Sequence, residues 1–392
     1  MAGNIQLSPS ERFAKFIKVI KLFAGFCGVN SLERDYRVTW VTWLVICVVT
    51  SFFVCTFYTI YVGMAIQNNY SILLQSLCIT GTGVQGYTKL LNAIFCGKHL
   101  RFAFEELTAI YEEYECKRLE YRDNLKENLE MVKRLIYGLL LINFILIAAL
   151  FAVPLFYYYV RKEKIDVIPL MIPGINPSNN RIENYIYQFY HICCVIFSTF
   201  GNFASDTFMI LIVVHVPMIK NIFKLKFDDM AETMKLHLRN RKKTEPLLRD
   251  IFQWHQKTIL IIETMQKGFF WVIFVQIFTS MLNIIFTIVC IFLGVWPVAP
   301  VYLLYSFVIL YIYCGIGNLV EISTDDITSI IYDFIWYDLT VSEQKMILIM
   351  LRESQSPPTM TIGGVMPLSM NTALQLTKSI YTIAMLLNEF VN

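Results

Sequence analysis

Residues 371–392 read NTALQLTKSIYTIAMLLNEFVN, a tract long enough to cross a bilayer that nevertheless carries Gln375, Lys378, Thr382 and Glu389. Asn371, Gln375, Lys378, Thr382, Met385 and Glu389 recur at intervals of three and four residues, which is one stripe of an α-helix. Leu376, Ile380, Ile383, Leu387 and Phe390 form a second stripe at the same spacing. The chemistry open to such a helix is contact with water and ions, not bond making. Polar side chains within hydrocarbon face a cavity, a pore or a partner, or they bond to neighbouring spans of their own chain. Spacing leaves both readings open. One helix cannot enclose a channel, whereas several copies around an axis can. Asp206 poses the same question in another apolar tract, and Lys89 is expected at a similar depth, so the two are expected to pair.

Other reactive types point away from catalysis. There is no Walker loop, Gly-x-Ser-x-Gly, His-Glu-x-x-His or dinucleotide fingerprint, so the chain is not read as an enzyme and no cofactor is expected. His191-Ile192-Cys193-Cys194 resembles a fragment of a metal site. On a helix, however, His191 and Cys194 share a face that Cys193 leaves, and no further ligands complete a set of four, so no metal is expected. Most of the ten cysteines fall in apolar tracts, where small packing residues are the plainer reading. Gly81-x-Gly83-x-x-Gly86 lies within a span and suits close helix packing or space for a small molecule. The basic run Arg239-Asn240-Arg241-Lys242-Lys243 reads as a solvated loop near lipid headgroups, not a nucleic-acid site. The sequon Asn69-Tyr70-Ser71 falls in an expected outer turn close to the membrane.

The elements that must position these residues follow from composition. Apolar residues make up 56% of the chain and charged residues 16%, bunched between long neutral tracts, as in a polytopic membrane protein. No Asp, Glu, Lys or Arg occurs in the 51 residues from Val38 to Thr88, which the polar knot Gln67-Asn68-Asn69-Tyr70 divides into two spans. Leu135–Val160 gives a third and Asn184–Ile219 a fourth. Gly268–Val320 is neutral for 53 residues and splits at Gly294 and Pro297, giving two more. With the terminal helix the total is seven. Helices are the structure in which such segments satisfy their own backbone groups. The N-terminal stretch shows no apolar run ending in a small-residue cleavage site, so the first span is expected to act as the insertion signal. Lys and Arg number 27 on the side of the N-terminus and 4 on the other, which puts the N-terminus in the cytoplasm and the C-terminus outside. That orientation excludes a G-protein-coupled arrangement. The expected fold is an all-α membrane protein of seven transmembrane helices with cytoplasmic helical extensions. It divides into a cytoplasmic segment 1–37, six helices with a pocket and cytoplasmic helical loops over 38–320, anchor helices over 321–366 and a final helix over 367–392.

The cytoplasmic connections are long and amphipathic. Residues 102–134 alternate apolar and charged side chains at helical spacing without Pro or Gly, and 220–265 do the same with a break expected at Pro246. Residues 321–352 are also helical in pattern, with a break at Ser354-Gln355-Ser356-Pro357-Pro358 and a turn at Gly363-Gly364. Packed together, these helices form an inner layer that serves subunit contact or caps a single protomer.

The C-terminal third resembles the insect odorant receptors. The resemblance is carried by Arg352-Glu353-Ser354-Gln355-Ser356-Pro357, then Gly363-Gly364, then Pro367-Leu368-Ser369, together with the length, the span count and the inverted topology. The last span is also similar to the gustatory signature: Thr382 and Phe390 fit, while Ile383 stands for Tyr, Glu389 for Gln, and Asn388 interrupts the apolar run. The resemblance implies the ligand-binding subunit of an odorant-gated, non-selective cation channel. Such a channel assembles as a heterotetramer with a common co-receptor in the plasma membrane of a sensory neuron dendrite. A gustatory-type chemoreceptor, or a receptor signalling through a cytoplasmic partner without its own pore, are the alternatives.

The resemblance also implies roles for particular residues. The pore would be lined by Gln375, Thr382, Leu386 and Glu389, with Leu386 at the apolar gate position and Glu389 at the polar one beside it. Lys378 would repel cations and turns toward a partner instead. Ligand would bind among spans two, three, four and six. Their outer halves offer Leu74, Leu77, Cys78 and Gly81, then Ile147, Phe151 and Pro154, then His191, Cys194 and Ser198, and finally Tyr302, Tyr305 and Ser306. A mostly apolar lining with a few hydroxyls suits a small volatile or lipid-like ligand held by desolvation. Gating requires that this ligand prefer the open arrangement.

Overall fold

The computed structural model describes residues 8–26, 28, 39–162, 165–175, 180–236 and 241–391. Residues 239 and 240 of the basic run, and the side chains of 241–243, Asn388 and Phe390, lie outside what it describes. Eleven α-helices are placed among the described residues: α1 (Pro9–Phe26), α2 (Trp40–Tyr61), α3 (Tyr70–Phe95), α4 (Gly97–Tyr114), α5 (Leu119–Val160), α6 (Arg181–Val213), α7 (Val216–Leu236), α8 (Arg241–Phe292), α9 (Ala299–Asp333), α10 (Val341–Ser354) and α11 (Met370–Val391). Between α10 and α11 runs a small hairpin, β1 (Thr361–Ile362) against antiparallel β2 (Met366–Pro367).

Local chemistry sets many of the boundaries. Thr39 and Thr42 form a capping box at α2, each hydroxyl accepting from the other's backbone N–H. Asn69 Oδ1 accepts from Ser71 N at 3.0 Å and caps α3, so the sequon asparagine has a structural task. Thr340 and Glu343 box the start of α10. Gly363 and Gly364 turn the hairpin at φ +61° and +74°, the left-handed region that glycine tolerates. Pro246 does not break its helix as expected. It sits in the second turn of α8, where its missing N–H costs one intrahelical bond that the remaining 46 residues of the helix outlast. The stretch after Pro358 resumes as the hairpin, not as helix.

Among the described residues, five helical stretches are long and apolar enough to cross a bilayer: Trp40–Ile66, Leu119–Val160, Arg181–Lys235, Thr244–Phe292 and Ala299–Asp333. Helices α3 (26 residues) and α11 (22 residues) match them in length but are more polar. At 42 and 52 residues, α5 and α8 extend roughly 63 and 78 Å, far more than the roughly 30 Å of hydrocarbon, so about half of each projects beyond it.

Among the described residues the apolar core falls into two clusters. The larger joins α1, α4, α7 and α10 to α5, α6, α8 and α9 and reaches Ala373 and Ile380 of α11. It seats Phe13, Ile17 and Ile20, one stripe of α1, with Phe13 stacked 4.3 Å from Tyr111. Tyr111 OH lies 3.1 Å from His215 Nε2 at the joint between α6 and α7. Arg118 ties the same layer to α7 through Asp229 and Glu232, and Lys257 pairs with Glu106. The smaller cluster lies at the opposite end of the bundle. It includes Cys55, Cys78, Leu146, Leu150, Val195 and Trp296, with Val167, Ile168 and Leu170 folded in from the α5–α6 connection.

Candidate functional site

A buried polar belt crosses the bundle between α3, α6, α8 and α9. Lys89 of α3, only 4% exposed, places Nζ 2.5 Å from Asp206 Oδ1 of α6 and donates to Asn202 Oδ1 at 3.0 Å. Tyr313 of α9 donates to the same Asp206 oxygen at 2.5 Å. Gln85 donates to Thr279 and Ser280 of α8, and Tyr302 OH donates to the Cys78 carbonyl at 3.0 Å. Four helices are thus cross-linked by groups that cannot be left unpaired in a dry interior. Both side chains of the ion pair are buried, at 4% and 6% exposure, so it is expensive to break from one side.

Against this belt lies a cavity of about 190 Å³. Val45, Val49 and Phe52 of α2 form one wall, and Leu146 and Leu150 of α5 another. Val167 and Ile168 of the inward-folded connection border it too. Along α3 the three glycines divide their work. A Cβ on Gly81 would lie 2.1 Å from Asn283 Oδ1, so that glycine admits close packing of α8. Gly83 and Gly86 border the cavity, and a Cβ on Gly86 would meet only Asn202 Nδ2, at 3.6 Å. The absent side chains are part of what keeps the space open.

The expected ligand residues are distributed unevenly. Cys194, Ser198, Tyr302 and Tyr305 border the cavity, and Ser306 borders a smaller polar one beside the Lys89–Asp206 pair. Leu74, Leu77, Cys78, Gly81, Ile147, Phe151, Pro154 and His191 border neither. Leu74 and Phe151 pack against the outer core instead, while Cys78 is fully buried with its sulfur 3.6 Å from that of Cys290. His191 is also fully buried. Its Nε2 donates to the Leu170 carbonyl at 3.0 Å, and Tyr187 OH donates to that same carbonyl at 2.8 Å, which fastens the connection inside the bundle. Among the described residues, no group of three or more His, Cys, Asp or Glu side chains is placed to hold a metal.

Sequence reasoning passed over α2, Asn202, Trp296 and the connection as cavity walls. One signal was available for the last: Val167-Ile168-Pro169-Leu170-Met171-Ile172 is an uncharged apolar run in a stretch taken for an outer loop.

The terminal helix packs on α8 and α9 through a narrow seam. Thr372, Ala373, Ile380 and Ala384 are buried, with Leu376, Thr377 and Leu387 half-buried beside them. Tyr311 OH lies 3.1 Å from Thr377 Oγ1 across that seam. Gln375, Lys378, Thr382, Leu386 and Glu389 all face outward. Ile383, placed on the dry stripe by spacing, is also exposed, because two alanines set the seam one notch around the helix. The hairpin holds the start of α11 in place. Thr361 N donates to Gln266 Oε1 at 3.0 Å, and a Cβ on Gly317 would fall 2.0 Å from the Leu368 carbonyl oxygen, so α9 needs glycine there.

Comparisons with known proteins bear on the family and the fold. The family model described as 7tm Odorant receptor matches residues 69–381. The putative odorant receptor 83c of Drosophila melanogaster is 24% identical, over 97% of this chain and 98% of its own. The structure of the insect olfactory receptor OR5 from Machilis hrabei superposes with a TM-score of 0.76 at 16% identity, covering 98% of this chain and all of that one. The same receptor in complex with eugenol gives a TM-score of 0.77 at the same identity and coverage.

Proposed function

The chain belongs to the 7tm odorant receptor family, and from that membership we propose that it is the ligand-binding subunit of an odorant-gated, non-selective cation channel completed by a common co-receptor. In this reading α3 and α11 cross the membrane with the five more apolar stretches. The N-terminus is cytoplasmic, as the distribution of 27 Lys and Arg against 4 argues, and the protein resides in the plasma membrane of a sensory neuron. The projecting helices of the larger core, α10 included, form the inner layer through which subunits assemble.

A small volatile or lipid-like ligand occupies the cavity, in contact with Cys194, Ser198, Tyr302 and Tyr305. Cys78, His191 and Ser306 back these contacts, and Leu74 and Phe151 support them from the outer core. The eugenol complex of the Machilis hrabei receptor supports a small-molecule ligand of this kind.

The observation that carries the reading is the outward face of α11. A single protomer leaves Gln375, Thr382, Leu386 and Glu389 without cover, and polar groups at membrane depth require water or a partner. Copies of α11 around an axis supply both. The test is to express the chain with its co-receptor and record ligand-evoked currents. Leu386→Ala is expected to leak without ligand and Glu389→Gln to alter cation permeability ratios. Unchanged permeation in both would point instead to signalling through a cytoplasmic partner.

A further inference from the structure

We propose that the cavity holds a second binding site at its inner end, for an uncharged and largely apolar small molecule, apart from the ligand contacts at Cys194, Tyr302 and Tyr305. The proposal rests on reading those outer contacts as the ligand site. The lining carries the cavity well past them. It runs from Ile79 to Ala93 on α3 and from Cys194 to Phe208 on α6, a rise of roughly 21 Å along each helix. A volatile of about ten heavy atoms, joined by bonds of about 1.5 Å, spans roughly half of that. One such molecule does not touch both ends.

Lys89 and Asn202 stand between the ends. Inward of them the wall is made by Leu90 and Ala93 of α3, Ile20 and Ala24 of α1, Leu100 of α4 and Phe269 of α8. None of these side chains is charged, and Lys89 is already paired with Asp206, so a charged guest would lie unpaired in a dry site. Ala24 and Ala93 leave room that bulkier side chains would fill. Asn92 borders the cavity at the same level. Its Nδ2 donates to the Gly268 carbonyl at 2.9 Å, while its Oδ1 is buried with no hydrogen-bond partner among the described residues. A buried acceptor left in that state is costly, and an O–H on a guest supplies the missing donor.

Helix α1 fixes this end. Phe13 stacks 4.3 Å from Tyr111 and Phe23 meets Phe203 edge-on at 5.4 Å, so α1 is pinned along its length and presents Ile20 and Ala24 to the cavity. A molecule held there touches α1 and α4, helices that the outer contacts do not reach.

The test is photolabelling of the purified full-length chain in lipid nanodiscs with octan-1-ol carrying a diazirine, followed by mass spectrometry of the adducts. The expected result is two saturable groups of adducts, one around Cys194 and Tyr302 and one around Ile20, Ala24 and Leu100. Exposed Leu141 and Phe144 report uptake from the lipid, which does not saturate. Ala24→Phe and Ala93→Phe fill the inner end from different helices. Each is expected to cut the inner adducts at least about tenfold and to leave the outer adducts, the check on folding, within about twofold. A variant that loses both groups is replaced by the smaller filling, Ala24→Leu or Ala93→Leu.

Adducts at the outer end alone, inner adducts that fail to saturate, or inner adducts that persist in the filled variants would overturn the proposal. Currents with the co-receptor judge the channel reading separately. Saturable inner adducts without current would unseat the channel and leave the second site standing, and currents without inner adducts would do the reverse.

Discussion

Lysine and aspartate buried side by side are retained only if each satisfies the other, and Lys89 and Asp206 do so with help from Asn202 and Tyr313. Lys89→Met or Asp206→Leu alone should destabilise the protein by about 3–5 kcal/mol, because each leaves an uncompensated charge in a dry site. The double substitution should recover most of that loss. Thermal unfolding of the detergent-solubilised chain, with surface expression as a second readout, checks both. Both charges were legible in the sequence because each stands alone in a long neutral tract. Asn202 and Tyr313 were not, since an uncharged polar side chain in a span breaks no pattern. Gly81 was legible as a glycine but not for what it does: Gly81→Ala is expected to push Asn283 aside and cost about 1–3 kcal/mol, read in the same melt.

For single elements, periodicity performed well where the helix was long and poorly where it was short. The stripe on α11 carried the outward polar face, yet Ile383 fell on the wrong side because alanines at 373 and 384 were not weighed as seam residues. Cysteines placed at 375, 382 and 389 in the assembled receptor should react with a water-soluble thiol reagent, whereas those at 373, 380 and 384 should be protected. Equal reactivity in both sets would remove the basis for a wet face. The hairpin before α11 escaped the reading, as strands of two residues are too short to show alternation. Its attachment is testable through Gln266→Ala, which removes the two bonds to Thr361. A loss of about 1–2 kcal/mol in stability is expected, with faster proteolysis around residues 355–368.

Across the whole molecule, the charge distribution made the order of long helices readable, but the double core was not. The inward turn of the α5–α6 connection had one sequence signal, the uncharged run from Val167 to Ile172, whereas the His191 and Tyr187 bonds that hold Leu170 show in no pattern. The orientation is read directly with terminal reporters: one at the N-terminus should be protected in intact cells and one at the C-terminus exposed, and the opposite result would invert the molecule. Helix α8 has a mechanical consequence. It passes the cavity at Phe269, grips the hairpin through Gln266 and supports α11 along its flank, all on one unbroken rod. With the belt at Thr279 and Ser280 as fulcrum, about 3° of tilt would swing the near end, roughly 19 Å away, by about 1 Å and the far end, roughly 58 Å away, by about 3 Å. Leverage of that size turns a small wedge at one end into a displacement comparable to a water molecule at the other.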